Sequence, residues 1–213
     1  MKVVVKILVG LAVIVLAYLC VMSIFTPEQF NKEQRRREAL IQKRLKDIAT
    51  YELAYREAYG QFASAEELVQ FLTDGKIFVI KAEGDYTDAM FEKGLSEADA
   101  ARQGLIKRDT IYVSAKDSLL KNGENPAELI LVPEFPQHQI EIQASVIPQE
   151  VGNDTINMAV FQAGVPMEVY LQGMDRQILD NKIRDAKSRN NGKGYPGLVI
   201  GSLEEFKSTG NWE

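Results

Sequence analysis

Hydrophobic residues are distributed very unevenly along this chain of 213 residues. Residues 7–25 form one apolar run of nineteen residues without a charge, whereas short apolar and polar segments follow one another from there to the C-terminus. A helix of that length, at about 1.5 Å per residue, spans about 28 Å, which matches the hydrocarbon thickness of a bilayer. We interpret residues 1–25 as a short tail and a retained transmembrane anchor. A cleaved secretory signal and a lipid attached at Cys20 are the alternatives, although no small-x-small cleavage pattern follows Phe25.

The residues after the apolar run predict an amphipathic stem helix over residues 26–60. Thr26 can cap its N-terminus and Pro27 suits its first turn, so we expect the membrane helix to bend or break here. Gly60 is a natural stop at the other end. One face is apolar at helical spacing, through Ile41, Leu45, Ile48, Tyr55 and Tyr59. Because apolar residues become frequent only from Ala39 onward, we expect the first half of the stem to be exposed and the second half to pack on the head.

Residues 61–213 begin with helical signals. Ser64 and Glu67 form a capping box, which predicts a short helix that ends at Gly75. A further short helix is expected over residues 96–103, where a serine again precedes the helical segment.

Strand signals dominate the later part of the chain. Five runs are rich in β-branched or aromatic residues and predict strands at residues 110–115, 129–132, 139–144, 158–161 and 167–171. The polar stretch 175–189 predicts a surface helix, and residues 198–200 predict a last strand. The expected architecture is an N-terminal transmembrane helix, an amphipathic stem helix and an antiparallel β-sheet head, so that residues 61–213 form one α+β domain.

Charge divides the chain into a basic N-terminal part and an acidic remainder. Residues 1–46 contain nine Lys and Arg against three Glu, and residues 47–213 contain sixteen against twenty-seven acids, which gives +6 and −11 and reproduces the net charge of −5. The basic residues cluster at 32–37 and 43–46, directly after the membrane. They predict contact with anionic lipid, at about 1 kcal/mol per nearby charge; a solvated helix face of mixed charge is the alternative. The acidic remainder disfavours nucleic acid as a partner.

Residues suited to catalysis or metal binding are sparse. His138 is the only histidine, and Cys20, the only cysteine, lies in the apolar run. A metal site needs several such ligands at close spacing, and a Ser-His or Cys-His mechanism would have to use His138 alone. We therefore assign no catalytic, cofactor-binding or metal-binding residue, expect no cofactor, and expect that the protein is not an enzyme.

Other conspicuous groups have ordinary structural explanations. Residues 192–194, Gly-Lys-Gly, do not match the phosphate-binding P-loop and predict a turn. The carboxylate pairs Glu66–Glu67 and Glu204–Glu205 are adjacent in sequence, so their members do not face one another on a helix. The tyrosines at 51, 55 and 59 recur every four residues and predict packing of the stem helix in the core.

The segment 47–68 resembles type IV pilins and pseudopilins. In that family a membrane helix continues into an amphipathic stem, and a Tyr-x-x-x-x-Gly-x-Tyr/Phe step leads to a short helix and an antiparallel β head. Tyr55, Gly60 and Phe62 stand at these positions, and the layout matches over roughly residues 7–77. The resemblance implies a pilin-like head. The apolar run contains no acid, whereas the family carries a glutamate near the start of its run that guides filament assembly.

The whole chain also resembles a family of single-pass membrane proteins of Bacteroidota, through residues 108–113, 195–198 and 210–213. This second resemblance implies no particular activity. Three strings resemble the Asp-Ser/Thr-aliphatic acceptor of Bacteroidota O-glycosylation, at 109–111, 117–119 and 154–156. Modification would place the head in the envelope. Together with the pilin resemblance it favours a periplasmic head, whereas the basic residues after the run favour a cytoplasmic one.

These features lead us to expect an envelope scaffold or assembly component that is anchored in the inner membrane by a single span and carries a pilin-like periplasmic head. Its expected partners are membrane lipid and either envelope proteins or further copies of the chain, docked on the stem or on a sheet edge. A tethered periplasmic binding module for a peptide or small molecule is the alternative.

Overall fold

The N-terminal part of the protein is one unbroken helix. The computed structural model describes residues 2–84, 86–92, 94–120, 123–151 and 154–213. Its first element, α1, is a helix of 58 residues, Lys2–Tyr59, with Pro27 inside it. A break at Pro27 is therefore wrong. An internal proline removes one backbone hydrogen bond and costs a helix about 3 kcal/mol, yet α1 continues through Pro27.

The apolar part of α1 makes no core with the rest of the protein. The large hydrophobic side chains described between Val3 and Phe25 are exposed. Within the described residues, α1 is the one helix that is long and apolar enough to cross a membrane. Apolar surface in water is unfavourable by about 25 cal/mol per Å², so a helix of this kind is typical of a membrane anchor or a signal sequence.

The stem, by contrast, contacts the head from Phe30 onward. Three residues of its apolar face, Ile41, Leu45 and Ile48, are fully buried as the sequence predicts. Phe30 is also buried, at 3% exposure, and Lys182 Nζ lies 5.7 Å from its ring centroid. The expectation that the first half of the stem is exposed holds for most of its residues but is wrong for Phe30. Phe30, an aromatic residue in a polar segment, begins the contact between the stem and the head, and the arginines described below continue it.

The head contains short helices and strands in a mixed order. They are α2 (Ala65–Asp74), β1 (Lys76–Glu83), α3 (Asp88–Glu92), α4 (Glu97–Arg102), β2 (Lys107–Ser114), α5 (Ala115–Leu119), α6 (Pro126–Leu129), β3 (Leu131–Val132), β4 (Phe135–Gln139), β5 (Glu141–Val151), β6 (Asp154–Pro166), α7 (Met167–Tyr170), α8 (Arg176–Gly192) and β7 (Gly197–Gly201). Among the described residues, the strands form antiparallel sheets in the orders β1-β2, β3-β4 and β5-β6-β7.

The core lies between the stem and the β5-β6-β7 sheet. Strand β6 contributes Phe161, Ala163 and Val165, each at most 2% exposed. The ring of Phe62, just after α1, lies 4.7 Å from that of Phe161. Helix α2 adds Leu68 and other apolar residues to the same cluster. The protein is therefore an α+β protein with antiparallel sheets and a long apolar N-terminal helix, as predicted.

Local signals predicted several elements correctly. The capping box exists: Ser64 Oγ accepts a hydrogen bond from Glu67 N, and Glu67 Oε2 accepts one from Ser64 N at 2.8 Å. The helices expected at 96–103 and 175–189 are α4 and α8. The strands expected at 110–115, 139–144, 158–161 and 198–200 overlap β2, β5, β6 and β7.

The strand predicted at 167–171 is wrong, because most of these residues form helix α7. Tyr170 and Leu171 are both fully buried. Successive residues of a strand point to opposite faces, so burial of both would need cover on both sides of the sheet. The chain changes from strand to helix at Pro166, which ends β6 and is the N-cap of α7.

Two other strand predictions need correction. The run 129–132 is only partly extended, because Leu129 ends α6 and β3 comprises Leu131–Val132 alone. Strand β1 is not among the predicted strands, although its sequence, KIFVIKAE, contains a β-branched and aromatic run directly after Gly75.

Candidate functional site

Arg37 joins the stem to the head through several contacts at once. Its Nη1 atom donates hydrogen bonds to the carbonyl oxygens of Tyr170 and Gln172, at 2.9 and 3.3 Å, and its Nε atom donates one to Glu33 at 2.8 Å. The guanidinium carbon lies 5.2 Å from the ring centroid of Phe135. A planar guanidinium carries five N–H donors, so one side chain can hold carbonyls and a carboxylate together.

Arg36 bridges two carboxylates at the same boundary. Its guanidinium donates two hydrogen bonds to Glu33, at 2.7 and 3.0 Å, and two to Glu134 of the head, at 2.6 and 2.9 Å. The hydrogen bonds from Arg36 and then Arg37 lower the pKa of Glu33 to about 2, and Arg36 also lowers the pKa of Glu134. Both carboxylates are therefore charged at neutral pH and hold the stem against the turn between β3 and β4.

Two further basic residues of the stem contact the head. Arg44 Nη1 donates to the carbonyl oxygen of Glu128 at 2.7 Å. Lys46 Nζ lies 2.9 Å from Oε1 of Glu213, the last residue, and its hydrogen bond lowers the pKa of that carboxyl group. The basic cluster that predicts lipid contact thus has intramolecular partners for much of its charge. Lys32 and Lys43 are exposed and form no side-chain hydrogen bond or ion pair within the described residues.

Replacing Arg37 with methionine is expected to lower the free energy of unfolding by about 2 kcal/mol, because two carbonyl oxygens lose a charged donor while the apolar stem of the side chain is kept. The measurement is urea denaturation of the full chain in detergent, followed by fluorescence of Trp212, the only tryptophan. The matched control is Lys43→Met, one exposed cation on the same helix, which should change stability by less than about 0.5 kcal/mol. Equal effects of the two variants would contradict this account of the interface.

Glu52 is a carboxyl group enclosed in the core of the head. Its residue exposure is 0%. Oε2 accepts a hydrogen bond from Ala63 N at 2.9 Å, while Oε1 has no hydrogen-bond partner among the described residues. Burial raises the pKa of Glu52 to about 8, against the opposing effect of the Ala63 N–H. The group is therefore largely protonated at neutral pH, and it holds the turn that follows α1.

A cleft of about 300 Å³ lies between the end of α8 and the C-terminal loop. We call it the α8 cleft. Three cationic side chains line it, Arg189, Lys193 and Lys207. Lys193 Nζ lies 3.0 Å from Glu204 Oε1, whereas Arg189 and Lys207 form no side-chain hydrogen bond or ion pair in the described part of the chain. Glu205, a neighbour of Glu204, also lines the cleft. The lining is thus polar, with more positive than negative groups.

The walls of the α8 cleft are fixed by unusual backbone conformations. Asn190 and Asn191 both have positive φ, at 49° and 58°, a region that costs non-glycine residues of order 1 kcal/mol each. A Cβ atom on Gly194 would lie 1.9 Å from the carbonyl oxygen of Ala186, so only glycine fits there. Asn211 holds the far wall, because its amide donates to Gly197 O at 2.9 Å and accepts from Val199 N at 3.2 Å.

The structure does not bring the predicted candidate residues together. His138 lies half-buried in β4. No group of three or more His, Cys, Asp or Glu among the described residues is placed to hold a metal ion. Gly192 ends α8, the predicted turn follows at Lys193 and Gly194, and Glu67 belongs to the capping box.

The tyrosine stripe packs largely as predicted. Tyr51 and Tyr55 are buried at 5% and 8% exposure, but Tyr59 is 55% exposed. The rings of Tyr55 and Tyr59 both contact Phe71 of α2, at centroid distances of 5.3 and 5.9 Å. The stripe therefore fixes α2 against the end of α1.

No family model, no curated protein and no solved structure matches this chain. The function is therefore inferred from the fold and the surface of the protein. They define an α+β head built around the second half of a long helix whose first half is apolar and exposed, with charged contacts at the stem and one polar cleft near the C-terminus.

Proposed function

We propose that this protein is a membrane-anchored envelope scaffold or assembly component, with a pilin-like head in the periplasm beside the inner membrane. One observation carries the proposal. The apolar segment and the centre of the head are parts of the same unbroken helix α1. A flexible linker would let a head move freely over a wide range. A shared helix instead sets the height and orientation of the head relative to the bilayer, which is what a scaffold needs.

The head begins very close to the end of the apolar run. The buried Phe30 lies five positions after Phe25, which is about 8 Å along a helix. Head residues beside Phe30 therefore lie at headgroup depth when the run spans the bilayer. Lys32 and Arg35, both exposed, are the stem cations that we propose for lipid contact. Because the apolar run has no acid to guide filament assembly, we propose a fixed scaffold in place of a filament subunit.

The surface offered to partners is the ribbon formed by β1 and β2. Phe78 and Tyr112 lie opposite each other across it and are 45% and 71% exposed. Val79 and Ile111, the next pair, are 42% and 41% exposed on the other face. A two-stranded ribbon is marginally stable in water by itself. A further strand or an apolar partner surface would cover both the open edge and these side chains.

One crosslinking experiment tests both the location and the partner. The variant Tyr112→Cys, in a Cys20→Ser background that leaves a single thiol, is treated in whole cells with a thiol-reactive photo-crosslinker that does not cross the inner membrane. The scaffold proposal expects labelling before lysis and a discrete crosslinked species, either with another protein or with a second copy. The matched control is Lys187→Cys, an exposed position on α8, which should be labelled without that species.

The alternative outcomes are equally informative. Labelling that requires lysis would place the head in the cytoplasm and contradict the periplasmic scaffold. Labelling of Tyr112→Cys without a crosslinked species would favour the second candidate, a tethered periplasmic module that binds a small molecule or peptide. The observation that favours this second function is the α8 cleft.

A further inference from the structure

We propose that the α8 cleft binds a small molecule that carries a carboxylate or phosphate group. The proposal depends on the side chains that line the cleft and is independent of the scaffold function, which depends on α1. The cleft volume of about 300 Å³ is at the lower end of the range for ligand pockets, so a small ligand is the appropriate occupant.

The charged side chains come from different parts of the chain. Arg189 lies in the last turn of α8, Lys193 directly follows the helix, and Lys207 belongs to the C-terminal loop. Cations at a helix C-terminus complement the helix dipole, which by itself explains Arg189 and Lys193. It does not explain Lys207, which reaches the same cleft from a separate segment. Among the described residues, Arg189 and Lys207 form no side-chain hydrogen bond or ion pair, although the charge of Lys207 also acts on the Glu213 carboxyl group. An anion in the cleft would supply a direct partner to both.

Neutral groups in the cleft can complete such a site. Ser202 Oγ accepts hydrogen bonds from the backbone N–H groups of Glu204 and Glu205, at 3.1 and 3.3 Å, and its own O–H remains able to donate. Gln162 lines the cleft from β6. The Tyr195 hydroxyl donates to Glu141 at 2.9 Å, so its ring serves as a wall. An anion would thus meet Arg189, Lys207 and neutral donors, and Glu205 is the negative side chain among the lining residues.

The site is also held in place before any ligand arrives. The positive φ angles of Asn190 and Asn191 fix the direction in which the chain leaves α8. The hydrogen bonds of Asn211 to Gly197 and Val199 fix the opposite wall. A preorganised cleft loses less conformational entropy when it binds, which favours affinity for a small ligand.

The test is a fluorescence titration of the full chain in detergent. Trp212 is the only tryptophan, follows the cleft residue Asn211 directly, and lies against Gly210. Inorganic phosphate and citrate are the probes, and sodium chloride at matched ionic strength is the reference salt. We expect a saturable change with half-saturation at about 1 mM or below. The double variant Arg189→Gln, Lys207→Gln should weaken it at least tenfold, whereas Lys187→Gln, an exposed cation of α8 outside the cleft, should leave it unchanged.

Each outcome has a defined meaning. Saturation by phosphate alone, by citrate alone, or by both supports the site and identifies its preferred anion. Three results would overturn the proposed site. They are an equal response to sodium chloride, no saturable response to either anion, and a titration that the double variant leaves unchanged. A urea midpoint of the double variant within experimental error of the original shows that weaker binding does not reflect unfolding. None of these results alters the crosslinking test of the scaffold.

Discussion

Replacing Glu52 with glutamine is expected to make the folded protein more stable above pH 8 and to remove most of the pH dependence of its stability between about pH 4.5 and 8. Burial raises the pKa of Glu52 from 4.5 to about 8 in the folded state. The folded protein therefore binds a proton more tightly than the unfolded chain, and the stability that this provides is present below pH 4.5 and is lost as the pH rises through 8. The full effect is on the order of 5 kcal/mol.

Urea denaturation of the full chain in detergent at several pH values, followed by Trp212 fluorescence, measures this effect. The curves of the original protein and Glu52→Gln should converge near pH 4.5, separate steadily up to about pH 8, and stay a constant distance apart above it. The matched control is Glu57→Gln, an exposed glutamate of the same helix, which should follow the original protein at every pH. Parallel curves for the original protein and Glu52→Gln would show that Glu52 is hydrated and charged in the fold.

Glu52 could have been found in the sequence, although its state could not. The apolar face of the stem comprises Ile41, Leu45, Ile48, Tyr55 and Tyr59, and six residues lie between Ile48 and Tyr55. Position 52 fills that gap at helical spacing. A glutamate at a core position of an amphipathic helix is the sequence signal that indicates a buried carboxyl group. Which N–H group it meets depends on Ala63, beyond the end of the helix, and the pattern within one helix does not contain that information.

The elements that the sequence predicts correctly are those fixed by neighbouring residues. The capping box at Ser64 and Glu67 and the stop at Gly60 involve partners at most four residues away. The errors arise where distant residues decide. Phe30 is buried by the head, and Arg37 binds carbonyls more than 130 residues later in the chain. From the sequence both residues belong to a polar, exposed segment, and only the fold gives them partners.

The same distinction between neighbouring and distant partners explains why the sequence does not predict the α8 cleft. The turn at 192–194 is predicted from its glycines, but the cleft also needs Lys207 and the clamp made by Asn211. These residues lie beyond β7, and no spacing rule connects them to the end of α8. A motif search tests residues that are close in sequence, so a site assembled from separate segments gives no signal of that kind.

Replacing Leu45 with alanine is expected to lower the free energy of unfolding by 2 to 5 kcal/mol, about the range of buried leucines elsewhere. Leu45 is 0% exposed and belongs to the core cluster that also contains Phe161 and Tyr170. Removing its side chain would leave a cavity between the stem and the β5-β6-β7 sheet. The effect is measured by urea denaturation in detergent with Trp212 as the probe, because Trp212 packs against the same cluster.

The same substitution at two other leucines of α1 provides the control. Leu16 lies in the apolar segment at 61% exposure and Leu40 on the outer face of the stem at 41%, so Leu16→Ala and Leu40→Ala should each cost less than about 1 kcal/mol. If Leu45→Ala were no worse than these, the stem would not be part of the head core. A flexible connection would then join the apolar segment to the head. The fixed orientation of the head relative to the bilayer, on which the scaffold proposal depends, would be lost.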